Sequence, residues 1–158
     1  MTVGVTGHQQ LAVDTQQRVG DVIRTRLASI HPLTGMTSLA EVADQIFATI
    51  VLSLGGQLAV VVPAKHYEQS FATEAALLRF RELRAAASQL IELPFKEPSE
   101  AAYWAAGREI VARCDVLFAV WDGLPAAGLG GTADVVRHAE HLGKEVIRIW
   151  PAGSRRQQ

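Results

Sequence analysis

Two glycine-bearing stretches hold the residue types that could do chemistry. Thr6-Gly7-His8-Gln9-Gln10 puts a hydroxyl and an imidazole beside a glycine, which lets a ligand approach the backbone. The stretch from Asp122-Gly123 to Gly130-Gly131-Thr132 has a carboxylate at one end and bare backbone before a helical pattern at the other. The first N–H groups of a helix have no partner inside it, and the helix dipole makes that end positive. Gly130, Gly131 and Thr132 together therefore suit a phosphate. A glycine-rich connector capped by Thr132 is the plainer reading of the same residues. Asp122 can accept hydrogen bonds from sugar hydroxyls or position a metal-bound water, or it can simply close an Asp-Gly turn. Asp134 falls in the first helical turn, where a carboxylate complements the dipole whatever the function. Asp122 and Asp134 are the candidate catalytic carboxylates; Thr6, Gly7, His8, Asp122, Gly123, Gly130, Gly131 and Thr132 are the candidate ligand-binding residues.

Several other chemistries have no residues to carry them. There is no GxxxxGK[ST] motif and no GxGxxG after a strand. His138 and His141 lie three apart but at the far end of the last helix, so no metal site is expected, and no cofactor. Cys114 is the one cysteine, which rules out an internal disulfide or a cysteine zinc cluster; its apolar neighbours predict a buried, inert thiol.

The elements that must position these loops are legible as an alternation of short apolar runs and longer helical patterns, which points to a parallel sheet covered on both faces. Strands are expected near Val3 to Thr6, Leu33 to Met36, Leu58 to Val62, Leu90 to Leu93, Val116 to Trp121 and Val146 to Trp150. The first helix carries Val19, Val22, Ile23, Leu27 and Ile30 on one face, with Asp14 and Gln17 spaced as a capping box; Ser38 and Glu41 repeat that spacing before the second. A third helix is expected over Ser70 to Ala87, a fourth over Ser99 to Arg113, and a fifth over Thr132 to Leu142 with Val135, Val136, Ala139 and Leu142 inward. Right-handed crossovers then favour an α/β Rossmann-like, doubly wound parallel sheet of six strands in the order 4-3-2-1-5-6. The winding reverses between strands one and five, and ligands bind beyond their carboxyl ends in such sheets.

A chain of 158 residues, 49% hydrophobic and 20% charged, fits one ordinary globular domain. The formal net charge of −1, without a basic stripe, argues against direct nucleic-acid binding. Gln45 to Ala64 contains no charged residue, but Gly55-Gly56-Gln57 breaks it into a helix, a turn and a strand, so no membrane span is expected. The N-terminus lacks a basic-then-apolar segment, and a cytoplasmic location is expected.

With these blocks in place the sequence resembles the SLOG superfamily, the Rossmann-like group that joins Smf/DprA-like, YpsA-like and LOG proteins. The likeness rests on Val5-Thr6-Gly7-His8, Ser38-Leu39-Ala40-Glu41-Val42-Ala43-Asp44-Gln45, Val61-Val62-Pro63, and Asp115 to Gly123 with Gly130-Gly131-Thr132. It implies that residues 1–152 form one nucleotide-binding domain, binding a nucleotide or nucleotide-derived ligand, as a sensor, through the two loops; independently of the likeness, the polar residues 153–158 are expected to be a disordered tail. The alternative it implies is a phosphoribohydrolase or deoxyribosyltransferase-like enzyme acting on an N-glycosidic bond. The hydrolases of the group carry PGGxGTxxE, and the position of its glutamate is Val135 here. Asp134 is one residue early, which turns its carboxylate by roughly 100° on a helix. No counterpart of those hydrolases' arginine-lysine pair is found. A homodimer is expected because Phe71, Phe80, Tyr103 and Trp104 exceed what one small core needs, and because LOG proteins pair through helices.

Overall fold

A computed structural model describes residues 1–125 and 131–156. Its strands are β1 (Thr2–Gly7), β2 (Thr34–Thr37), β3 (Gln57–Val62), β4 (Gln89–Glu92), β5 (Val116–Val120) and β6 (Glu145–Ile149). They form one six-stranded sheet in the order β4-β3-β2-β1-β5-β6, parallel at every pairing. The expected order is the observed one. Val116 to Val120 is apolar without alternation because β5 is buried along its whole length. β4, at the edge, has only Ile91 half-buried.

The helices are α1 (Val13–Leu27), α2 (Ala43–Ser53), α3 (Glu74–Ala85), α4 (Glu100–Arg113) and α5 (Thr132–His141). Helices α1 to α3 cover one face, where Val19, Ile23, Phe47, Phe80 and Leu83 meet Val3, Val5 and Phe118. Helices α4 and α5 cover the other, where Ile110, Val111, Val135 and Ala139 meet Met36, Val61 and Leu117. No helix among the described residues is long and apolar enough to cross a membrane. The uncharged stretch is α2, a turn at Gly55 and β3.

Several local expectations are corrected. Asp14 is not a cap: Ala12 holds that position, and the Asp14 carboxylate accepts from the Thr15 N–H inside the first turn. Ser38 and Glu41 do not cap α2, whose cap is Val42 in a left-handed conformation (φ 66°). The segment expected as one helix from Ser70 divides into a 3-10 turn at Tyr67–Ser70, an extended link and α3, capped by the Thr73 side chain. Thr132 is the first residue of α5 and Gly131 its cap, while Leu142 is 49% exposed instead of inward. The expected frayed tail is fastened as far as Arg156. The Ala12 N–H donates to the Arg155 carbonyl (3.2 Å), the Arg155 N–H to Thr15 Oγ1 (3.0 Å), and Arg18 to the Ala152 carbonyl (3.0 Å).

The aromatic residues that motivated a dimer are housed within the domain. Phe80 is buried, its ring centroid 5.5 Å from Tyr67 and 5.0 Å from Phe71. Tyr103 meets Tyr67 edge-on, and Trp104 meets His138. The overcrowding argument for a homodimer is therefore removed.

Candidate functional site

A crevice of about 350 Å³ opens at the carboxyl ends of β1 and β5, where the strand order reverses. Thr6, Gly7, His8 and Gln9 line it from the first loop, and Gly131, Thr132, Ala133 and Val135 from the start of α5. Gly7 pairs with Val120, and the His8 N–H donates to the Val120 carbonyl (3.1 Å), which fixes the first loop against the end of β5. A Cβ on Gly7 would come within 2.6 Å of Ala43 Cβ and 2.8 Å of Val120 Cβ. Glycine is thus required here by the packing of α2 against the sheet.

The residues directly after β5, Trp121 and Asp122, are held by β6. Arg148 donates to the carbonyls of Trp121 (3.1 Å) and Asp122 (2.8 Å) while its guanidinium lies over the Trp121 ring. Gly123 has φ 87° and abuts that guanidinium, so it is a turn residue and is absent from the crevice wall. The Leu124 N–H donates to Asp122 Oδ1 (2.9 Å), closing the Asp-Gly turn. The rest of the Asp122 carboxylate is gripped by Arg156, Nε to Oδ2 at 2.6 Å and Nη2 to Oδ1 at 3.0 Å. Burial alone would raise the Asp122 pKa, but the Leu124 N–H, Arg156 and His8 outweigh it and hold the carboxyl below its usual range. His8 Nε2 accepts from the Asp122 N–H (3.2 Å), so that nitrogen carries a lone pair. Burial, with the charge of Arg156, lowers the His8 pKa and keeps the ring neutral, so its 3.3 Å approach to Asp122 Oδ1 is no ion pair at neutral pH.

At the start of α5 the N–H groups of Asp134 and Val135 return to the Gly131 carbonyl (3.1 and 3.2 Å). Asp134 pairs with Arg137 (3.4 Å) and does not line the crevice, whereas Val135 does. Gly130 lies outside the described residues. Across the crevice from these elements stands a wall that the sequence reading did not assign to the site: Ser38, Ala40, Glu41, Asp44, Tyr67 and Tyr103.

That wall is built on the link between β2 and α2. Leu39 (φ 57°) and Val42 (φ 66°) are both left-handed, which is costly for side chains with a Cβ and most of all for a β-branched one. The loop is held there from beneath. The Leu39 N–H donates to Thr37 Oγ1 (3.0 Å), the Ala40 N–H to Asp44 Oδ2 (3.3 Å), and Gln45 Nε2 to the carbonyls of Leu39 (3.3 Å) and Ala76 (3.0 Å). Asp44 is 6% exposed, and burial pushes its carboxyl up to about 7 against the pull of hydrogen bonds from Ala40, Thr37 and Ser38. Burial, then Asp44, raises the Tyr67 phenol as well. One signal for this wall was available: Asp44 is the last charge before the long uncharged stretch, the point where the chain enters the core. Among the described residues no cluster of histidine, cysteine, aspartate or glutamate is arranged for a metal.

No protein-family model matches this sequence, and no curated protein does either. The fold is shared with solved structures. DNA processing protein A from Streptococcus pneumoniae superposes with a TM-score of 0.71 at 18% identity over 96% of this chain, which spans 51% of that protein. The same protein from Helicobacter pylori, described for its single-stranded DNA binding mode, gives 0.72 at 16% identity, covering 99% of this chain and 68% of that one. The molybdenum cofactor carrier protein from Chlamydomonas reinhardtii gives 0.58 at 15% identity, covering 93% and 75%. One of these folds serves a DNA-binding protein, so the architecture lends no support to the exclusion of nucleic acid drawn from net charge.

Proposed function

From the Rossmann-like fold that this chain shares with members of the SLOG superfamily, we propose that it binds a nucleotide or nucleotide-derived small molecule in the crevice between β1 and β5. The observation that carries this reading is the convergence of the first loop and the start of α5 on one crevice at the reversal point of the sheet. Its volume falls in the range of roughly 300–1,000 Å³ usual for small-molecule sites. Among the described residues the N–H groups of Thr132 and Ala133 have no acceptor, as suits the reception of a phosphate. The test is thermal unfolding against AMP, ADP, inorganic phosphate and a single-stranded oligonucleotide, with mass spectrometry of whatever co-purifies. A ligand at a hundred times its Kd adds about 2.7 kcal/mol to apparent stability. Gly131→Val should abolish that gain. Stabilisation by the oligonucleotide alone would replace this reading with a nucleic-acid one.

A second reading is hydrolysis or transfer at an N-glycosidic bond. It is favoured by Glu41 and Asp44, which bring carboxyl groups to the crevice where Val135 brings none. A carboxyl group poised near neutral pH can give a proton to a departing base. Chromatography of free base from nucleoside monophosphates, comparing wild type with Asp44→Asn and Glu41→Gln, decides it. Base release unchanged in both variants would discard these residues as catalysts.

A further inference from the structure

The crevice is electrically uneven. Glu41 and Asp44 line one wall, and Arg156 is the one lysine or arginine among the described residues that line it. Arg156 is brought there by the segment that leaves β6 and crosses the start of α1, where Leu11 and Arg156 form an antiparallel bridge. Its guanidinium uses Nε and Nη2 on the Asp122 carboxylate, in the parallel two-bond geometry that fixes a guanidinium plane. Nη1, the remaining corner of the fork, has no acceptor among the described residues. An arginine carries five N–H donors in fixed directions, so a carboxylate on one edge leaves another edge able to bind an oxyanion.

Building on the nucleotide-binding reading, we propose that Arg156 is the oxyanion-binding residue of the crevice and that Asp122 is its positioning residue. A phosphate, or another oxyanion on the ligand, lies against the free edge of Arg156. The end of the ligand that carries hydrogen-bond donors, an amino-bearing base or a sugar diol, lies toward Glu41 and Asp44. The charge distribution then sets the direction in which the ligand enters. Asp122 acts through Arg156 and does not touch the ligand, which gives a role to a carboxylate whose oxygens are already occupied.

The test is isothermal titration of wild type, Arg156→Gln and Arg156→Lys with AMP, adenosine and inorganic pyrophosphate. In parallel, the His8 imidazole is titrated by NMR. Arg156→Gln should weaken AMP and pyrophosphate at least tenfold and adenosine less than twofold. Arg156→Lys should recover part of the loss, since it restores the charge without the fork. Asp122→Asn should weaken AMP less than Arg156→Gln does. Arg156→Gln should also move the His8 titration upward, because the guanidinium lies beside that ring together with Asp122 and Trp150. This readout checks the placement of Arg156 without any ligand. AMP and adenosine weakened equally, or AMP unaffected, would overturn the role of Arg156 and leave the nucleotide reading standing. Pyrophosphate binding lost in Arg156→Gln, with AMP and adenosine inert in the wild type, would keep Arg156 and overturn the nucleotide. No binding of any probe to the wild type would overturn both.

Discussion

Asp44→Asn should make this protein more stable at pH 8 and leave it nearly unchanged at pH 4. The Asp44 carboxyl is pushed up to about 7 in the folded chain by burial, against 3.8 for an unperturbed aspartate. Below pH 4 both folded and unfolded states carry the proton and the residue costs nothing. Between 4 and 7 the folded state keeps a proton that the unfolded state has released, so stability falls as pH rises, by about 1.4 kcal/mol per unit. Above 7 both states are ionised and the full cost of the buried charge is present. A gap of about three units makes that cost at most about 4 kcal/mol. Asparagine retains an acceptor for the Ala40 N–H and removes the charge, so the variant should regain most of the cost at pH 8. The assay is urea unfolding of both proteins from pH 4 to 8, followed by tryptophan fluorescence. The difference between the two curves cancels contributions from every other titrating group. A difference that stays constant with pH, or a variant weaker than wild type at pH 8, would refute the assignment.

Gly7→Ala should destabilise by about 1–3 kcal/mol in chemical denaturation, since its Cβ meets Ala43 and Val120 inside van der Waals contact. Ser99→Ala removes the side chain that caps the Ala102 N–H (3.1 Å) and should cost about 1 kcal/mol by the same measurement. His8 should titrate by NMR below the ordinary imidazole value of 6.5, with its lone pair on Nε2 at neutral pH. Phe118→Ala should cost about 3–5 kcal/mol, because Phe118 is 1% exposed at the centre of the larger core and edge-on to Phe47.

The sheet and its order were legible because β1 and β5 are apolar on both faces and the helical patterns between strands are long and regular. That periodicity places the ends of two central strands side by side, so the first loop and the start of α5 follow as neighbours. The opposite wall was not legible. Ser38 and Glu41 have the spacing of a capping box, yet the helix begins only at Ala43, because Leu39 and Val42 take left-handed conformations that their residue types disfavour. Tertiary hydrogen bonds from Asp44 and Gln45 override that local preference, and no local pattern records them. Arg156 was hidden for a related reason. A polar run after the last strand reads as a free end until Thr15 and Leu11 are seen to bind it. Asp122 was placed correctly at the carboxyl end of β5, but its carboxylate is bound by Leu124 and Arg156 and so does not stand open to the crevice.

The pairing of β1 with β5 also bears on how the protein is made. Thr2 to Gly7 leave the ribosome before their partners Val116 to Val120, which follow more than a hundred residues later. Until then β1 has β2 on one side only, and its other edge offers unpaired backbone groups along an apolar strand, the feature that recruits neighbouring chains. The crevice cannot exist in any nascent chain that lacks the segment after β5, since Gly131, Thr132 and Arg156 are among its walls. A ligand for this crevice can therefore protect only a chain that has emerged beyond Arg156. A chain interrupted before Val116 should instead be found in aggregates, whatever the supply of ligand.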